Sequence, residues 1–140
     1  MILIVDASVL FSALIKRSFT FDLFESLSDR GFDLCSPQYL LEEIEIKRDR
    51  LLEYSKLTPS ELDFVAELLL GKIKIIPKSE YGSFLSEAKE LSPHTKDDSY
   101  FALALSLNCP IWSDEKAFKK QDKVKVYSTS ELIKELGLKQ

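Results

Sequence analysis

Short apolar runs that end at turn residues alternate along this chain with segments of helical periodicity. The runs that we interpret as strands lie at residues 1–5, 32–35, 72–76, 111–113 and 124–127. Helical spacing or capping signals mark residues 7–17, 21–29, 36–55, 58–71, 79–91, 97–107 and 129–136, with a further helical turn at 115–120. Strands that are joined through helices form parallel sheets with right-handed crossovers. We therefore predict an α/β fold in which a parallel sheet lies between two layers of helices.

Three of the predicted helices begin at local capping signals. Ser36-Pro37 is a hydroxyl residue followed by proline, a usual opening of a helix. Thr58-Pro59-Ser60-Glu61 reads as a capping box with proline inside it. Thr129 or Ser130 should cap the last helix, with Glu131 in its first turn.

Length and composition favour one domain, which we place at 1–140. A chain of 140 residues with 45% hydrophobic content can bury a sizeable core. No apolar run approaches the roughly 20 residues that span a bilayer, and Asp6 interrupts the N-terminal run too early for a signal peptide. We expect a cytoplasmic protein that does not contact a membrane. Cys35 and Cys109 are expected to be unpaired buried thiols.

Acidic residues stand at the boundaries of four predicted elements. They are Asp6, Glu42-Glu43, Asp97-Asp98 and Asp114-Glu115. Each has an alternative explanation as a helix cap, a partner of the helix dipole, a solvated helix face or a turn residue. In a parallel sheet, however, ligands bind beyond the carboxyl ends of the strands, where Asp6 and the 114–115 pair are expected. We therefore predict that several of these carboxylates share one cleft.

Several carboxylates in one cleft require a compensating cation. Like charges about 4 Å apart repel each other by roughly 4 kcal/mol at an effective dielectric constant of 20. Oxygen ligands without thiolate or imidazole suit Mg²⁺ or Mn²⁺, and such an ion lowers the pKa of a water molecule and stabilises charge on a phosphate oxygen. Other chemistries lack support, since His94 is the single histidine and no glycine-rich phosphate loop is present. The pattern indicates a metal-dependent hydrolase.

Four segments resemble the acidic motifs of the PIN-domain nuclease family, to which the VapC-type toxins belong. They are IVDASVL at 4–10, LEEI at 41–44, KDDSYFALA at 96–104 and IWSDEKAF at 111–118. The resemblance covers essentially the whole chain, in motif order and spacing. It implies a three-layer α/β/α fold with a central parallel sheet of about five strands. It also implies Mg²⁺- or Mn²⁺-dependent cleavage of single-stranded RNA that leaves a 5′-phosphate and a 3′-hydroxyl.

The resemblance also implies roles for individual residues. The acids expected to be catalytic and to hold the metal are Asp6, Glu43, Asp97, Asp114 and Glu115. In the fourth motif Glu115 stands where the family has Asp, while Asp114 is one residue early, so either could be the fourth acid. The supporting residues expected around them are Ser8, Asp98 and Ser113. The basic residues that could guide an RNA backbone are Lys16, Arg17, Lys47, Arg48 and Lys116. Tyr100 and Trp112 are expected in the core rather than stacked on bases.

Many members of the family are toxins that dimerise and are silenced by a small antitoxin protein, so both partners are implied here. Two other readings stay open. A degenerate PIN-like module could bind RNA or protein without cleaving it, because the fourth motif departs from the family pattern. A phosphatase of the haloacid dehalogenase type also begins with an aspartate after its first strand, but it needs a second acid where this chain has Ser8. A phosphoacceptor receiver domain is disfavoured because the strand at 72–76 ends at Pro77 instead of an aspartate.

Overall fold

A computed structural model describes residues 1–16 and 19–137 of the chain. Its strands are β1 (Ile2–Val5), β2 (Asp33–Pro37), β3 (Lys74–Ile76), β4 (Ile111–Trp112) and β5 (Val126–Tyr127). Its helices are α1 (Ala7–Lys16), α2 (Phe19–Asp29), α3 (Tyr39–Ile46), α4 (Arg48–Ser55), α5 (Pro59–Leu70), α6 (Leu85–Leu91), α7 (Asp98–Leu107) and α8 (Thr129–Leu136). Short 3₁₀ turns lie at Lys78–Glu80, Gly82–Phe84, Thr95–Asp97 and Lys116–Lys120.

The described strands form one five-stranded parallel sheet in the order β3-β2-β1-β4-β5. The chain moves outward from β1 to β3 on one side and then crosses to β4 and β5 on the other. Because parallel crossovers are right-handed, this reversal places α1 to α5 on one face of the sheet and α6 with α7 on the opposite face. The three-layer α/β/α architecture predicted from the sequence is confirmed.

The reversal point lies between β1 and β4, where ligands of open α/β sheets usually bind. Val5 pairs with Trp112 in the register of these two strands. Asp6 and Ser113, which follow them, are therefore neighbours at the carboxyl ends of β1 and β4. The sheet thus brings together two residues from opposite ends of the chain.

The core is built around β1 and α7. Leu3, Ile4 and Val5 are fully buried, which fits the uninterrupted apolar run of a central parallel strand. Tyr100 and Trp112 are also fully buried, so the prediction that they belong to the core is confirmed. Within the described residues, no helix is both long and apolar enough to cross a bilayer.

The two thiols are not paired with each other. Cys35 is a free buried thiol, whereas Cys109, also free, is only half-buried. Burial raises the pKa of the Cys35 thiol to about 12 and that of Cys109 to about 11.

The predicted helix at 36–55 is wrong at its start and in its middle. Ser36 and Pro37 belong to β2, where the Ser36 hydroxyl donates to the Val5 carbonyl at 2.6 Å instead of capping a helix. Pro37 lacks an N–H, but it ends the strand, and the next N–H, that of Gln38, donates to the Ile76 carbonyl. The helix then breaks at Lys47, whose backbone (φ −94°, ψ 4°) is not helical. Two shorter helices, α3 and α4, result.

Local capping signals were partly correct. Thr58 and Glu61 form the predicted capping box at the start of α5. For α8 the prediction of Thr129 or Ser130 as the cap is wrong, because Ser128 accepts from the Glu131 N–H and Glu131 bonds back to the Ser128 N–H. The predicted helix at 79–91 contains two 3₁₀ turns before α6 begins at Leu85.

Candidate active site

Asp6 is a buried carboxylate at the carboxyl end of β1. Its side-chain oxygen Oδ2 accepts hydrogen bonds from the Ser8 hydroxyl at 2.6 Å and from the Ser113 hydroxyl at 2.8 Å. Burial raises the pKa of Asp6 from 3.8 to about 6, against the opposing effect of the two hydroxyl groups, and the nearby charge of Glu115 raises it further. Asp6 thus lies in a low-dielectric environment, in which a nearby positive charge would stabilise its ionised form.

Glu43 reaches the same region from α3. Its oxygen Oε1 accepts a hydrogen bond of 2.7 Å from the hydroxyl group of Tyr100, which lies on α7. Burial raises the pKa of Glu43, the Tyr100 hydroxyl opposes that rise, and the charge of Asp6 adds to it. The electrostatic coupling to Asp6 places Glu43 beside the end of β1.

Asp97 ends the 3₁₀ turn that leads into α7 and is only 2% exposed. Its side chain makes no capping hydrogen bond to that helix. Its oxygen Oδ2 is buried and has no hydrogen-bond partner among the residues that the structure describes. Burial, followed by the charges of Glu115 and Asp6, raises the pKa of Asp97 from 3.8 to about 7. The helix-cap explanation therefore does not account for this side chain.

The structure separates the two candidates for the fourth acid. Both oxygens of the exposed Asp114 accept from Thr129, Oδ1 from its N–H and Oδ2 from its hydroxyl, each at 2.7 Å. Glu115 is half-buried, and its charge raises the pKa values of Asp6, Glu43 and Asp97. Asp114 thus joins the end of β4 to the start of α8, whereas the charge of Glu115 acts on the other acids.

Ser113 links this last motif to Asp6. Its hydroxyl donates to Asp6 and accepts from the N–H of Glu115 at 3.1 Å. The third supporting candidate, Asp98, is buried but bonds to the Ser92 hydroxyl on the loop before α7. Asp98 is thus held by a neighbouring loop, and Ser8 and Ser113 are the candidates that contact an acid of the cluster.

The basic candidates are spread over the surface. Lys16 is exposed at the end of α1, Lys116 is exposed one residue after Glu115, and Lys47 is half-buried at the break between α3 and α4. Arg48 forms an ion pair with Asp63 at 2.6 Å. Arg17 lies outside the described residues.

Sequence reasoning missed three residues that lie around the acids. Lys96 is exposed, and its charge lowers the pKa values of Glu43 and Asp97. The half-buried Tyr39 lies close to Glu43, whose charge adds to the effect of burial in raising the pKa of the Tyr39 hydroxyl. Tyr100 was assigned to the core alone. The available signal for Lys96 was its position directly before Asp97. Tyr39 is one helical turn before Glu43 on α3, whereas the Tyr100 contact joins α7 to α3 from the opposite face of the sheet.

The donor set fits a hard divalent cation. Asp6, Glu43, Asp97 and Glu115 offer only carboxylate oxygens, which Mg²⁺ and Mn²⁺ prefer. The orphaned Asp97 Oδ2 and the raised pKa values mark a place where positive charge would relieve repulsion. In residues 1–16 and 19–137, no three side chains of His, Cys, Asp or Glu are already gathered closely enough to hold an ion. The acids are electrostatically coupled but do not form a closed ligand set.

Comparisons with known proteins agree with this arrangement. The model of the family described as PIN domain matches residues 4–136. The chain belongs to the PIN-domain family. Proteins of this family are generally nucleases, and they generally use divalent metals. None of the curated proteins compared with this PIN domain matches it.

A solved structure shows the same fold. It is the crystal structure of VapBC2 from Rickettsia felis bound to a DNA fragment from their promoter. One chain of it is 17% identical to this PIN domain, with a TM-score of 0.69 over 91% of this chain and 98% of that one. At this identity the likeness establishes the shared fold alone.

Proposed function

We propose that this PIN domain is an endoribonuclease that hydrolyses phosphodiester bonds of single-stranded RNA with the help of Mg²⁺ or Mn²⁺. The observation that carries the proposal is the buried Asp97 Oδ2, which has no hydrogen-bond partner in residues 1–16 and 19–137 and experiences the charges of Glu115 and Asp6. Such an oxygen costs free energy unless a cation or a proton neutralises it. In a PIN domain, a divalent cation is the natural partner.

In this proposal, Asp6, Glu43, Asp97 and Glu115 hold the ion. When bound, the ion supplies Lewis acidity and makes a water molecule a better nucleophile at neutral pH. Ser8 and Ser113 fix the orientation of Asp6 by hydrogen bonds to a single oxygen. Asp114 is assigned a structural role, because both of its oxygens already accept from Thr129.

Exposed cations near the site would position the RNA backbone. Lys96 directly precedes Asp97, and Lys116 directly follows Glu115. Both lysines are exposed. Lys16 and Lys47 remain candidates as well. We rank Arg48 below them, since its guanidinium is paired with Asp63.

The test is cleavage of a labelled single-stranded RNA by the full chain in Mg²⁺, in Mn²⁺ and in EDTA. We expect cleavage only with metal, and its loss in Asp6→Asn and in Asp97→Asn. The exposed Asp29→Asn, at the end of α2, is the matched control and should cleave normally. Full cleavage by both active-site variants would refute the proposal.

Two rival functions give different results in the same assay. A degenerate PIN domain would bind the RNA without cleaving it in any metal. A phosphatase of the haloacid dehalogenase type would release phosphate from small esters and spare the RNA. The second is disfavoured because Ser8, at the position of that class's second acid, is a hydroxyl donor to Asp6.

We also propose a cytoplasmic location and two protein partners, an antitoxin-type protein and a second copy of the chain. The similar fold in VapBC2, an assembly of two proteins, supports the first partner. Large apolar side chains on α3 and α5 are unusually exposed for a monomer, with Ile46 69% and Phe64 63% exposed. Sedimentation of the isolated chain tests the second partner. If the wild-type chain is a dimer and Ile46→Ser is a monomer, this surface is the self-association surface. If the wild-type chain is a monomer, the surface is assigned to the antitoxin-type partner.

A further inference from the structure

Tyr100 is the residue that joins the core to the acid cluster. It is fully buried on α7, and its hydroxyl donates to Glu43 Oε1 on α3, 57 residues away in the sequence. A fully buried hydroxyl must find an acceptor, and here the acceptor is an acid of the candidate site. Tyr100 therefore contacts an acid of the candidate site in addition to packing its ring in the core.

The hydrogen bond from Tyr100 determines which oxygen of the Glu43 carboxylate is left for other partners. One oxygen of the carboxylate is held by Tyr100, so the rotation of that group is restricted and Oε2 is the oxygen left for other partners. Glu43 itself is 7% exposed, so water does little to orient it. Charge-assisted bonds of this kind are short and directional. Partners that orient a metal-binding carboxylate in this way affect the affinity of the site for its ion.

We propose that Tyr100 is a positioning residue of the active site, whose hydroxyl group holds the Glu43 carboxylate in the orientation that binds a divalent cation. The inference rests on the proposed nuclease function and adds to it a residue that does not contact the substrate. It differs from a purely structural role for Tyr100, in which the ring fills the core and the hydroxyl group is incidental.

A matched control is available in the same chain. Tyr81 is also almost fully buried, at 1% exposed, and the polar neighbours that lower the pKa of its hydroxyl group are Ser99 and the backbone of Tyr39. Tyr81→Phe removes one buried hydroxyl from the same region as Tyr100→Phe does. A difference between the two variants is therefore due to the partner of the hydroxyl group.

The experiment is calorimetric titration of Mn²⁺ into the full chain, followed by steady-state RNA cleavage. For Tyr100→Phe we expect Mn²⁺ affinity to fall about 10-fold, as it does for other groups that orient metal ligands, and kcat to fall while the KM for RNA changes little. Tyr81→Phe should behave as the wild-type protein does. In a Glu43→Gln background, Tyr100→Phe should weaken Mn²⁺ binding no further, because Tyr100 acts through Glu43.

Melting temperatures without metal separate these effects from a loss of fold. If Tyr100→Phe does not fold, 4-aminophenylalanine at position 100 keeps the ring and a donor, and it should retain Mn²⁺ affinity within about threefold. A folded aminophenylalanine variant that loses the ion would overturn the inference.

The inference and the proposed function fail in different ways. Unchanged Mn²⁺ binding and kcat in Tyr100→Phe would overturn the inference alone, as would an equal effect of the substitution in the Glu43→Gln background. Absence of Mn²⁺ uptake by the wild-type protein would overturn the proposed function and the inference with it.

Discussion

The hydroxyl group of Ser113 donates a hydrogen bond of 2.8 Å to Asp6 Oδ2, although the two residues are 107 positions apart in the sequence. Ser8 donates to the same oxygen from two residues away. The contact fixes the end of β4 against the end of β1 and orients the first acid of the cluster. Because it joins an early strand to a late one, it is a sensitive point for mutation.

Ser113→Ala removes the hydroxyl donor that is more distant from Asp6 in the sequence. We expect a loss of about 1 to 3 kcal/mol in the free energy of unfolding, since the buried Asp6 carboxylate loses the hydrogen bond from the Ser113 hydroxyl. The pKa of Asp6 should rise further above its value of about 6, because the ionised form loses a hydrogen bond. Urea denaturation and NMR titration of the Asp6 carboxyl carbon measure the two effects. The exposed Ser130→Ala is the control, and an unchanged Asp6 pKa would contradict the prediction.

The metal-free protein should lose stability as the pH rises from about 4 to about 7. The pKa values of Asp6 and Asp97 are raised from 3.8 to about 6 and about 7, so the folded state binds more protons than the unfolded state in this window. Each carboxyl group then lowers the free energy of unfolding by at most about 1.4 kcal/mol per pH unit, and its effect ends above its folded pKa. The comparison of wild type with Asp97→Asn in EDTA isolates one group. A difference in stability that stays constant from pH 4 to 7 would show that Asp97 ionises normally.

Substitutions at Asp114 and Glu115 should have opposite consequences. Asp114→Ala removes two acceptors for Thr129 at the start of α8, so we expect a loss of stability of about 1 kcal/mol with cleavage retained. Glu115→Gln removes a charge that raises the pKa values of Asp6 and Asp97, so in the proposed site cleavage should fall by at least about 10-fold with little loss of stability. Thermal unfolding and RNA cleavage, measured on both variants, check this. Loss of cleavage in Asp114→Ala at a temperature where it is folded would reverse the assignment.

Lys96→Ala should weaken RNA binding without destroying the site. Lys96 is exposed beside Asp97, and its removal takes away one cation that a backbone phosphate could contact. We expect a higher KM for RNA, and the slope of log affinity against log salt should become shallower by about 0.7, the value for one phosphate contact on a single strand. Fluorescence anisotropy in Ca²⁺ at several salt concentrations measures it. Lys134→Ala, exposed on α8, is the control, and equal salt slopes for the two variants would contradict the prediction.

Local signals in the sequence were sufficient for part of the fold. The capping box of Thr58 and Glu61 lies within four consecutive residues, so no distant contact decides it. Ser36-Pro37 carries a similar local signal, but the Ser36 hydroxyl finds a stronger partner in the Val5 carbonyl of the neighbouring strand. The same type of pattern was thus correct where the segment lies on the surface and wrong where the sheet competes for the hydroxyl group.

In the candidate site, too, local features can be predicted from the sequence and contacts between distant residues cannot. The position of Asp6 could be predicted because it depends on the end of a single strand. The different surroundings of Asp114 and Glu115 could not be predicted, since they depend on the two hydrogen bonds that Thr129, 15 residues away, donates to Asp114. Tyr100 is predicted correctly as a core residue, but its bond to Glu43 joins two helices that lie on opposite faces of the sheet, and such a contact leaves no periodicity in the sequence.

The order of the strands has a consequence for protein synthesis. Asp6 and Glu43 leave the ribosome early, whereas Ser113 and Glu115 are translated near the end and must insert beside β1 from the other side of the sheet. A nascent or prematurely terminated chain therefore lacks a complete set of acids. Any chemistry that depends on that set therefore begins only after β4 has been translated and has paired with β1.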